Sequence, residues 1–514
     1  MHPKNPYAAA APDFSALANA LPSLKPFLVE RAQEATRLSI DFQNPEAIRQ
    51  LTMALLERDF GLHLSLPTDR LCPTVPGRLD YCLWIIDLLN LEASESTPGD
   101  EYLGVDIGTG SSAIYPLLLS RLLPRMKILA TEIDQKSYDF ALVNISTNAL
   151  SDRIELIRYT PEQLSIFPVE HILQSPARHS FTMCNPPFYS SKDEIDELSL
   201  KKETVPHAAC TGSETEMLTP GGEEAFINQL IKDSLALKSH IRWFTSLCGK
   251  FTTLADVVKT FKIMKGNNYA LTELLQGQTR RWVIGWSWQD WRLPDAISRP
   301  SGVTSLRSTK NLLPLPNEMD YHLPTSLTAI LSTDELSARI SRILTSLPDL
   351  QWRQSQGSEG RTDRTVPQGS AEAVSWNVTA LRKSWSRAER RKRKLSTHQP
   401  SNDGQTTQQG GSIIKLDGTN QTDLNFRPIL EASLTLFTTK PSRISFVAKS
   451  TSNQCIELGD PSSKEMGLSS KEGPALAQVG DGVYTLHVRW IRGYERDVFE
   501  SFWNHMIKKV IHAD

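Results

Sequence analysis

Between residues 101 and 290, short apolar runs alternate with stretches in which apolar residues recur at helical spacing. The runs have the length of buried strands, and the longer stretches have the period of helices. The predicted strands are Leu103–Ile107, Ile128–Thr131, Ile154–Tyr159 and Phe181–Cys184, and the predicted helices are Pro116–Leu123, Lys136–Asn148 and Glu223–Leu237. Alternation at this spacing predicts a parallel sheet with helices on both faces, a doubly wound α/β domain over residues 101–292.

The flanking segments differ in character from this central stretch. Residues 1–100 carry apolar residues at helical spacing, which predicts a helical N-terminal module. Pro, Ser and Thr are frequent in residues 293–325, which predicts a linker. Helical and strand patterns in residues 326–514 predict a smaller α+β accessory domain. A chain of 514 residues is long enough for several domains.

The accessory domain is predicted to contain long disordered insertions, because Ser-, Gln- and Gly-rich segments bury too little apolar surface to fold. Its predicted helices are Asp334–Leu347 and Glu495–Ile511, its strands are Leu430–Phe437, Ile444–Lys449 and Val483–Trp490, and the insertions lie near 354–372, 397–412 and 450–480. In the last strand, alternating apolar residues predict one buried face.

Charge and cysteine content exclude several classes of protein. Lys and Arg number 56 against 58 Asp and Glu, so the net charge is −2 and a basic surface for nucleic acid has to be local. No apolar run approaches the ~18 residues of a membrane span, and the N-terminus lacks a secretory signal. The six cysteines form no C-x-x-C pair, which disfavours a zinc module and favours a reducing compartment. We expect no membrane contact and no metal.

A glycine-rich turn follows the first predicted strand, in the sequence Gly-Val-Asp-Ile-Gly-Thr-Gly-Ser-Ser. Asp106 ends the strand, and Gly108 and Gly110 permit the positive φ that lets a backbone approach a ligand at a helix N-terminus. The spacing is neither that of a dinucleotide fingerprint nor that of a phosphate-binding P-loop. A carboxylate at Asp106 suits a ligand that carries an ammonium. The alternative is a purely structural turn.

An acidic residue follows the second predicted strand. Glu132 lies 22 residues after Gly110, where a carboxylate can accept both hydroxyl hydrogens of a ribose. The alternative is a solvated helix start, with Asp134 as the N-cap. Together the two motifs favour a nucleoside-bearing cofactor, and Asp106 favours S-adenosylmethionine over a nicotinamide dinucleotide.

The sequence Met-Cys-Asn-Pro-Pro-Phe at residues 183–188 follows the fourth predicted strand. Two prolines fix φ and remove backbone donors, which leaves a stiff turn with an outward carbonyl at Pro186. Asn185 adds an amide oxygen and Phe188 a flat apolar face. An exocyclic base amine has two N–H donors and an adjacent π-face, so this loop can position that nitrogen for methyl transfer. The alternative is a proline-rich loop without a catalytic role.

The three motifs in this order resemble those of class I, Rossmann-fold N6-adenine RNA methyltransferases, in particular the methyltransferase-like protein 16 family and its bacterial ribosomal-RNA relative. The resemblance covers about residues 1–290 and includes Asp59–Leu62, Pro73–Pro76 and Gly221–Glu223. It implies S-adenosylmethionine as cofactor and methylation of adenine N6 in structured RNA. It also implies that the N-terminal module, residues 1–100, forms a lid over cofactor and RNA. For this family it implies U6 small nuclear RNA as substrate.

The resemblance also implies roles for single residues. The catalytic loop is matched by Asn185, Pro186, Pro187 and Phe188. The expected cofactor contacts are Arg78 to the cofactor carboxylate, Gly108, Ser112, Glu132, and Gln163 beside the adenine ring, together with Asp106 and Gly110 of the glycine-rich turn. Residues 160–164 depart from the family pattern, and Gln278 stands where the family has an arginine.

Basic residues gather in two places that we predict contact RNA. Residues 382–394 hold eight Lys or Arg and one Glu; a nuclear import signal, an RNA-backbone clamp and a solvated helix face are the interpretations, and the first two can coexist. Trp385 within this run either stacks on RNA or packs in a core. The predicted RNA contacts are Arg387, Arg390 and Arg391 in this run, and Lys250, Arg280 and Arg281 in the catalytic domain.

The leading hypothesis is a monomeric, S-adenosylmethionine-dependent N6-adenine methyltransferase that acts on structured RNA in the nucleus, with the cytoplasm as a second location. The first alternative is the same chemistry on ribosomal RNA. The second is a protein glutamine methyltransferase, because a carboxamide presents the same NH₂ group. The third is an RNA-binding scaffold without activity, which the intact Asp106, Glu132, Asn185 and Phe188 disfavour.

Overall fold

The computed structural model describes most of the chain as two compact units, residues 1–317 and 318–514. The described residues are 1–10, 12–31, 34–92, 101–159, 165–200, 212–277, 279–300, 312–356, 371–396, 427–439 and 483–512. The division between the units falls inside the segment predicted as a linker. Leu293 and Leu312 of that segment are buried in the first unit, so only part of it connects the units. None of the helices in these residues has the length and hydropathy needed to cross a membrane.

The first unit contains the predicted α/β domain and the N-terminal module. Its helices are α1 (Phe14–Ala20), α2 (Pro45–Phe60), α3 (Val75–Glu92), α4 (Ile114–Leu122), α5 (Gln135–Thr147), α6 (Val169–Gln174), α7 (Lys192–Leu200), α8 (Glu214–Met217), α9 (Gly222–Asp233), α10 (Phe251–Ile263) and α11 (Asp295–Ser298). Its strands are β1 (Leu28–Arg31), β2 (Glu34–Ile40), β3 (Tyr102–Ile107), β4 (Met126–Glu132), β5 (Ile154–Arg158), β6 (His179–Cys184), β7 (Ile241–Cys248), β8 (Asn268–Gln276) and β9 (Thr279–Ser287).

A seven-stranded sheet in the order β5-β4-β3-β6-β7-β9-β8 forms the centre of this unit. Strands β3 to β7 run parallel, and β8 and β9 add an antiparallel edge. The predicted parallel α/β sheet is therefore confirmed. Because β3 pairs with β4 on one side and with β6 on the other, the winding of the chain reverses there. Ligands of such sheets bind outside the carboxyl ends of the strands at this reversal.

The N-terminal module is helical as predicted, but it also contains the hairpin β1–β2. Helix α2 begins at Pro45 because the side chain of Asn44 accepts the backbone N–H groups of Glu46 and Ala47, and it ends at Gly61 with φ 59°. Leu56 of this module lies in the same hydrophobic core as residues of α4 and the sheet. The module is thus part of the first unit, and it holds α3 against the site.

The second unit is a five-stranded antiparallel sheet packed against helices, which agrees with the predicted α+β domain. Its strands are β10 (Glu318–His322), β11 (Leu350–Gln356), β12 (Ala371–Ala380), β13 (Leu430–Thr439) and β14 (Val483–Arg492), and its helices are α12 (Thr325–Thr328), α13 (Thr333–Thr345), α14 (Arg387–Ser396) and α15 (Arg496–Ile511). The sheet order is β10-β14-β13-β12-β11. Trp490 stacks on Phe499 of α15 with ring centroids 5.2 Å apart, which buries one face of the sheet.

Several predictions for this unit differ from the structure or lie outside the described residues. Residues 354–356 and 371–372, predicted as disordered, belong to β11 and β12 because they extend a hydrogen-bonded ladder. The other predicted insertions and the strand Ile444–Lys449 lie outside the described residues. Helix α13 begins at Thr333, one residue before the predicted Asp334, because Ser332 and Glu335 form a capping box.

Candidate active site

Two neighbouring cavities open near the carboxyl ends of β3, β4 and β6. The larger cavity has a volume of about 340 Å³ and is lined by the glycine-rich turn, Glu132 and Asn185. The smaller cavity, of about 230 Å³, is lined by Asn185, Phe188 and Arg281. The site therefore lies where the winding of the sheet reverses, as expected for an α/β fold.

The glycine-rich turn has the backbone conformation that its sequence predicts. Gly108 and Gly110 have φ of 69° and 68°, in the left-handed region that favours glycine. The backbone N–H of Thr109 donates to the carbonyl of Thr131 at 2.9 Å, which fixes the turn to β4. Gly104 serves a different purpose, because a Cβ there would lie 2.4 Å from the ring of Phe181. The turn exposes its backbone to the larger cavity, and Ser112 lines that cavity.

Glu132 is fixed by backbone donors at the end of β4. Its Oε2 accepts the N–H of Gly110 at 2.8 Å, and its Oε1 accepts the N–H groups of Ile133 and Asp134, each at 2.9 Å. Burial nevertheless raises the pKa of Glu132. Asp134 caps α5 by accepting the N–H of Ser137, as predicted. The carboxylate of Glu132 thus lines the larger cavity in one fixed orientation, with one lone pair of Oε2 left for a ligand hydroxyl.

Asp106 is fully buried at the end of β3, directly before the residues that line the larger cavity. Within the described part of the chain, neither of its oxygens has a hydrogen-bond partner of normal geometry. Burial, with the nearby charge of Glu132, raises the pKa of Asp106 to about 7. A carboxyl group in this condition gains most from a cationic partner.

The catalytic-loop residues leave β6 above a buried chain of hydrogen bonds. The N–H of Cys184 donates to the hydroxyl of Tyr81 at 3.4 Å, this hydroxyl lies 2.6 Å from Oγ1 of Thr245, and Thr245 donates to the carbonyl of Thr182. The end of the strand is thereby held in place. Beyond it, Oδ1 of Asn185 is buried without a partner among the described residues. An unpaired amide oxygen at a cavity wall is an acceptor available to a ligand donor.

Phe188 has glycine behind its ring. A Cβ at Gly249 would lie 2.7 Å from the ring of Phe188, so only glycine permits this approach. Glu223 positions Gly249 by accepting its backbone N–H. The guanidinium of Arg281 lies 5.6 Å from the ring centroid of Phe188. The smaller cavity thus offers a flat aromatic surface with a cation at hand, which suits a nucleobase.

Of the other two predicted cofactor residues, Arg78 is described by the structure and Gln163 is not. Nη1 of Arg78 donates to the hydroxyl of Tyr115 at 2.9 Å, which fixes the guanidinium at the boundary of both cavities. Gln163 lies outside the described residues, as does Gln278. Pro186 and Pro187 follow Asn185, and Pro187 lines the larger cavity.

The predicted RNA-binding residues are not brought together at one place. Lys250 pairs with Glu194 and lies 5.7 Å from the ring centroid of Tyr189, beside the smaller cavity. Arg280 instead pairs with Glu273 at 3.0 Å and does not line either cavity. Of this group, Arg281 alone reaches the smaller cavity, because side chains alternate in direction along β9.

The basic run of the second unit forms an exposed helical face. Arg387, Arg390 and Arg391 of α14 are exposed, as predicted. Burial, with the nearby charges of Arg390 and Lys509, lowers the pKa of His505 to about 4, so basic residues of α14 and α15 face one region. Trp385 is buried against Phe502 and donates to Ser501 at 2.9 Å; of its two interpretations, packing is correct.

Sequence reasoning missed Glu216 and Leu71, which line both cavities. The backbone N–H of Leu71 donates to Glu216 Oε2 at 3.0 Å, so two segments far apart in the chain meet there. Glu216 lies in the polar stretch after the catalytic loop, and its Ser-x-x-Glu capping box was the available signal. Leu71 offers no signal, because its contribution is a backbone donor.

Among the described residues there is no cluster of three or more His, Cys, Asp or Glu side chains arranged to hold a metal. Among the described residues, Cys72, Cys82, Cys184 and Cys248 are not part of a disulfide, and the thiol of Cys72 lies 3.4 Å from Oγ1 of Thr52. Burial raises the pKa of Cys82, Cys184 and Cys248, so these thiols are poor nucleophiles and ligands at neutral pH.

A parallel α/β sheet with a glycine-rich turn, a fixed acid after the second strand and an Asn-Pro-Pro-Phe loop defines a class I methyltransferase. The site fits S-adenosylmethionine as its cofactor: Glu132 and Arg78 line the larger cavity and suit the ribose and the carboxylate. The buried carboxyl of Asp106, next in the chain to the cavity-lining Ile107, suits the ammonium. The chain belongs to a family of RNA methyltransferases, whose model matches residues 1–290.

Relatives and solved structures agree with this assignment. The chain is 34% identical over 404 residues to the RNA N(6)-adenosine-methyltransferase mettl16 of Xenopus laevis, covering 76% of this chain and 69% of the relative. It is 36% identical over 277 residues to the U6 small nuclear RNA (adenine-(43)-N(6))-methyltransferase of Schizosaccharomyces pombe, covering 54% and 69%. The human METTL16 catalytic domain in complex with a MAT2A 3′UTR hairpin has a TM-score of 0.51 and 37% identity, over 56% of this chain and 96% of that chain.

Proposed function

We propose that this chain methylates the N6 atom of an adenine in structured RNA, and that U6 small nuclear RNA is its substrate. The observation that carries the proposal is the position of Asn185, which lines both cavities with an unpaired amide oxygen. When bound, S-adenosylmethionine supplies an electrophilic methyl group on a sulfonium. The similarity to enzymes named for U6 small nuclear RNA supports the choice of substrate.

The catalytic loop would act by positioning. Oδ1 of Asn185 and the carbonyl of Pro186 accept the two hydrogens of the adenine amine, which aims the nitrogen lone pair away from both acceptors and toward the larger cavity. Phe188, supported by Gly249, stacks on a base that has been extruded from its helix. The two prolines keep the carbonyl in place, since φ of each is fixed.

The loop needs no strong base. Directly after the transfer, the adenine nitrogen would carry the methyl group, both of its hydrogens and a positive charge. Such a cation is strongly acidic, so water can take one of the two protons. Asn185 cannot accept a proton at neutral pH, and its amide oxygen serves only as a hydrogen-bond acceptor. The rate therefore depends on alignment and on exclusion of competing nucleophiles rather than on a titrating side chain.

We also propose a nuclear, monomeric enzyme that contacts RNA with both units. The exposed arginines of α14 support the nuclear location and an RNA-backbone contact, because a basic helix can serve both import and phosphate binding. Arg281 and Lys250 flank the smaller cavity and suit the phosphates next to an extruded adenine.

A methyl-transfer assay with labelled S-adenosylmethionine tests the proposal. The full chain is offered total small nuclear RNA, ribosomal RNA and a glutamine-bearing peptide, and labelled RNA is digested to nucleosides. We expect label in N6-methyladenosine from U6 small nuclear RNA. Label in ribosomal RNA or in the peptide would move the substrate to that alternative, and RNA binding without any label would favour the scaffold.

A further inference from the structure

Four residues line both cavities and mark the boundary between them. They are Leu71, Arg78, Asn185 and Glu216. In the proposed reaction a methyl group leaves a sulfur in the larger cavity and joins a nitrogen in the smaller one, so the sulfur has to lie next to this boundary. Among these four residues, Arg78 carries a positive charge and Glu216 a negative one.

One oxygen of Glu216 fixes the side chain, and the other remains available. Oε2 accepts the backbone N–H of Ser213 at 2.8 Å, the hydroxyl of Ser213 at 3.0 Å and the backbone N–H of Leu71 at 3.0 Å. Among the described residues, Oε1 has one longer hydrogen bond, 3.3 Å from the same Leu71 N–H. It also lies 3.9 Å from the position of a Cβ on Gly110. Oε1 therefore keeps lone-pair capacity at the glycine-rich turn.

The cations near Glu216 have partners other than Glu216, and Arg78 remains available to the cofactor carboxylate. The guanidinium of Arg78 donates to the hydroxyl of Tyr115 at 2.9 Å. Arg70, which interacts electrostatically with Glu216, pairs with Asp134 and with Asp69, each at 2.9 Å. The negative charge of Glu216 thus acts at the boundary, where no ion pair with Glu216 is found within the described ranges.

We propose that Glu216 is a specificity-determining residue that favours the sulfonium of S-adenosylmethionine over the neutral thioether of S-adenosylhomocysteine. A carboxylate held beside a sulfur stabilises a positive charge there and gains nothing from a neutral sulfur. The inference rests on the proposed methyl transfer, which determines where the sulfur lies.

The preference would promote turnover. During the transfer the S–CH₃ bond breaks and its electron pair returns to sulfur, which loses its charge. The adenine nitrogen gains the methyl group and releases a proton to water. The by-product therefore loses its attraction to Glu216 at the moment it has to leave. A site without this carboxylate would retain the by-product as firmly as the donor.

The test measures binding rather than activity. The full chain, without RNA, is titrated calorimetrically with S-adenosylmethionine and with S-adenosylhomocysteine, and the ratio of the two Kd values is compared with that of Glu216→Gln. The matched control is Glu214→Gln, which removes an exposed charge from the same helix, where it pairs with Lys192. We expect Glu216→Gln to reduce the preference for S-adenosylmethionine about tenfold, equal to ~1.4 kcal/mol, and the control to leave it unchanged.

The outcomes separate this inference from the proposed function. Equal weakening of both ligands in Glu216→Gln would mean that Glu216 only holds α8 to Leu71, and would overturn the inference. Failure of the unaltered chain to bind either ligand would overturn the proposed function itself. Glu216→Asp provides a second variant, because it retains the charge at a greater distance. We expect its ratio of the two Kd values to lie between the ratio of the unaltered chain and that of Glu216→Gln. A ratio equal to that of Glu216→Gln would count against an effect of charge.

Discussion

At the scale of single residues, the site is distinguished by polar atoms that have no partner. Asp106 and Asn185 each hold buried oxygens without hydrogen bonds among the described residues, although most buried polar atoms of proteins are paired. Both residues were predicted from the sequence, because Asp106 lies at the end of β3 and Asn185 follows directly on β6. Burial at these positions costs stability, which implies that the oxygens are kept for a ligand.

Replacing Asn185 separates binding from catalysis. Asn185→Ala removes an acceptor and no charge, so we expect methyl transfer to fall at least ~100-fold, an effect of the size seen when one positioned polar group is removed. RNA affinity should stay within about threefold, because phosphate contacts dominate it. Single-turnover rates and RNA binding at fixed salt measure the two effects. Parallel losses of rate and affinity would show that Asn185 is structural.

Asp106 gives cofactor binding a pH dependence. Its pKa is raised to about 7 in the folded chain, whereas an unfolded aspartate titrates near ~3.9. A cationic ligand requires the ionised form, so affinity for S-adenosylmethionine should rise as pH increases from 6 to 8, by about tenfold. Asp106→Asn should abolish this rise and most of the affinity, and the exposed Asp139→Asn serves as control.

The same pKa shift predicts a gain in stability for the variant. The folded pKa of Asp106 lies above the unfolded value, so the unfolded state binds fewer protons between pH ~4 and ~7, and the contribution of Asp106 to stability falls as pH rises through this window. Asp106→Asn removes that cost. We expect the ligand-free variant to be more stable than the unaltered chain at pH 8, by a few kcal/mol, and no more stable at pH 4. Thermal melts at both pH values check this, and a destabilised variant at pH 8 would contradict it.

At the scale of elements, periodicity predicted four of the seven strands of the central sheet and helices α4, α5 and α9 to within a few residues. Strands β7 and β8 and helix α10 were not predicted. Strands β3, β4, β5 and β6 were identified because buried parallel strands are continuous apolar runs bounded by polar turns. The hairpin β1–β2 was missed, since its short strands carry charged residues and are defined by pairing with each other. The contribution of Glu216 could not be predicted, because it depends on contact with Leu71, distant in sequence.

Helix α14 should contribute to RNA affinity through charge alone. Trp385, next to it, is buried in the core of the second unit, so deleting the whole basic run would disrupt that core. Substitution of Arg387, Arg390 and Arg391 by Gln leaves the core intact. We expect weaker RNA binding. The slope of the logarithm of the binding constant against the logarithm of the salt concentration should fall in magnitude by up to ~3, because each phosphate that is no longer neutralised lowers it by about 0.9.

A matched set of exposed cations serves as the control for α14. Replacing Lys232, Arg342 and Arg353 by Gln removes the same charge from other surfaces. This variant should keep the salt dependence of the unaltered chain. An unchanged slope in the α14 variant would assign the basic run to nuclear import.

At the scale of the whole molecule, the two units share no hydrophobic core among the described residues: two core clusters lie in the first unit and a third lies in the second. This separation predicts two unfolding events. The first unit contains both cavities, and the core of the second unit is built from its own sheet and helices. A ligand that binds one unit stabilises that unit only. We expect calorimetry to resolve two unfolding transitions. S-adenosylmethionine at ~100 times its Kd should raise the free energy of unfolding of the first unit by ~2.7 kcal/mol and leave that of the second unit unchanged. A shift of both transitions together would show that the units unfold as one.

The boundary formed by Leu71, Arg78, Asn185 and Glu216 is only one layer of residues thick, and this has a consequence for inhibitors. Two weak fragments, one in each cavity, are close enough to be joined by a short linker. The second fragment then binds at the high effective concentration that a tether provides, so the joined compound gains affinity without any new contact. The joined compound would also be selective, because an enzyme that has a similar larger cavity but a different smaller cavity would bind only one of the two fragments.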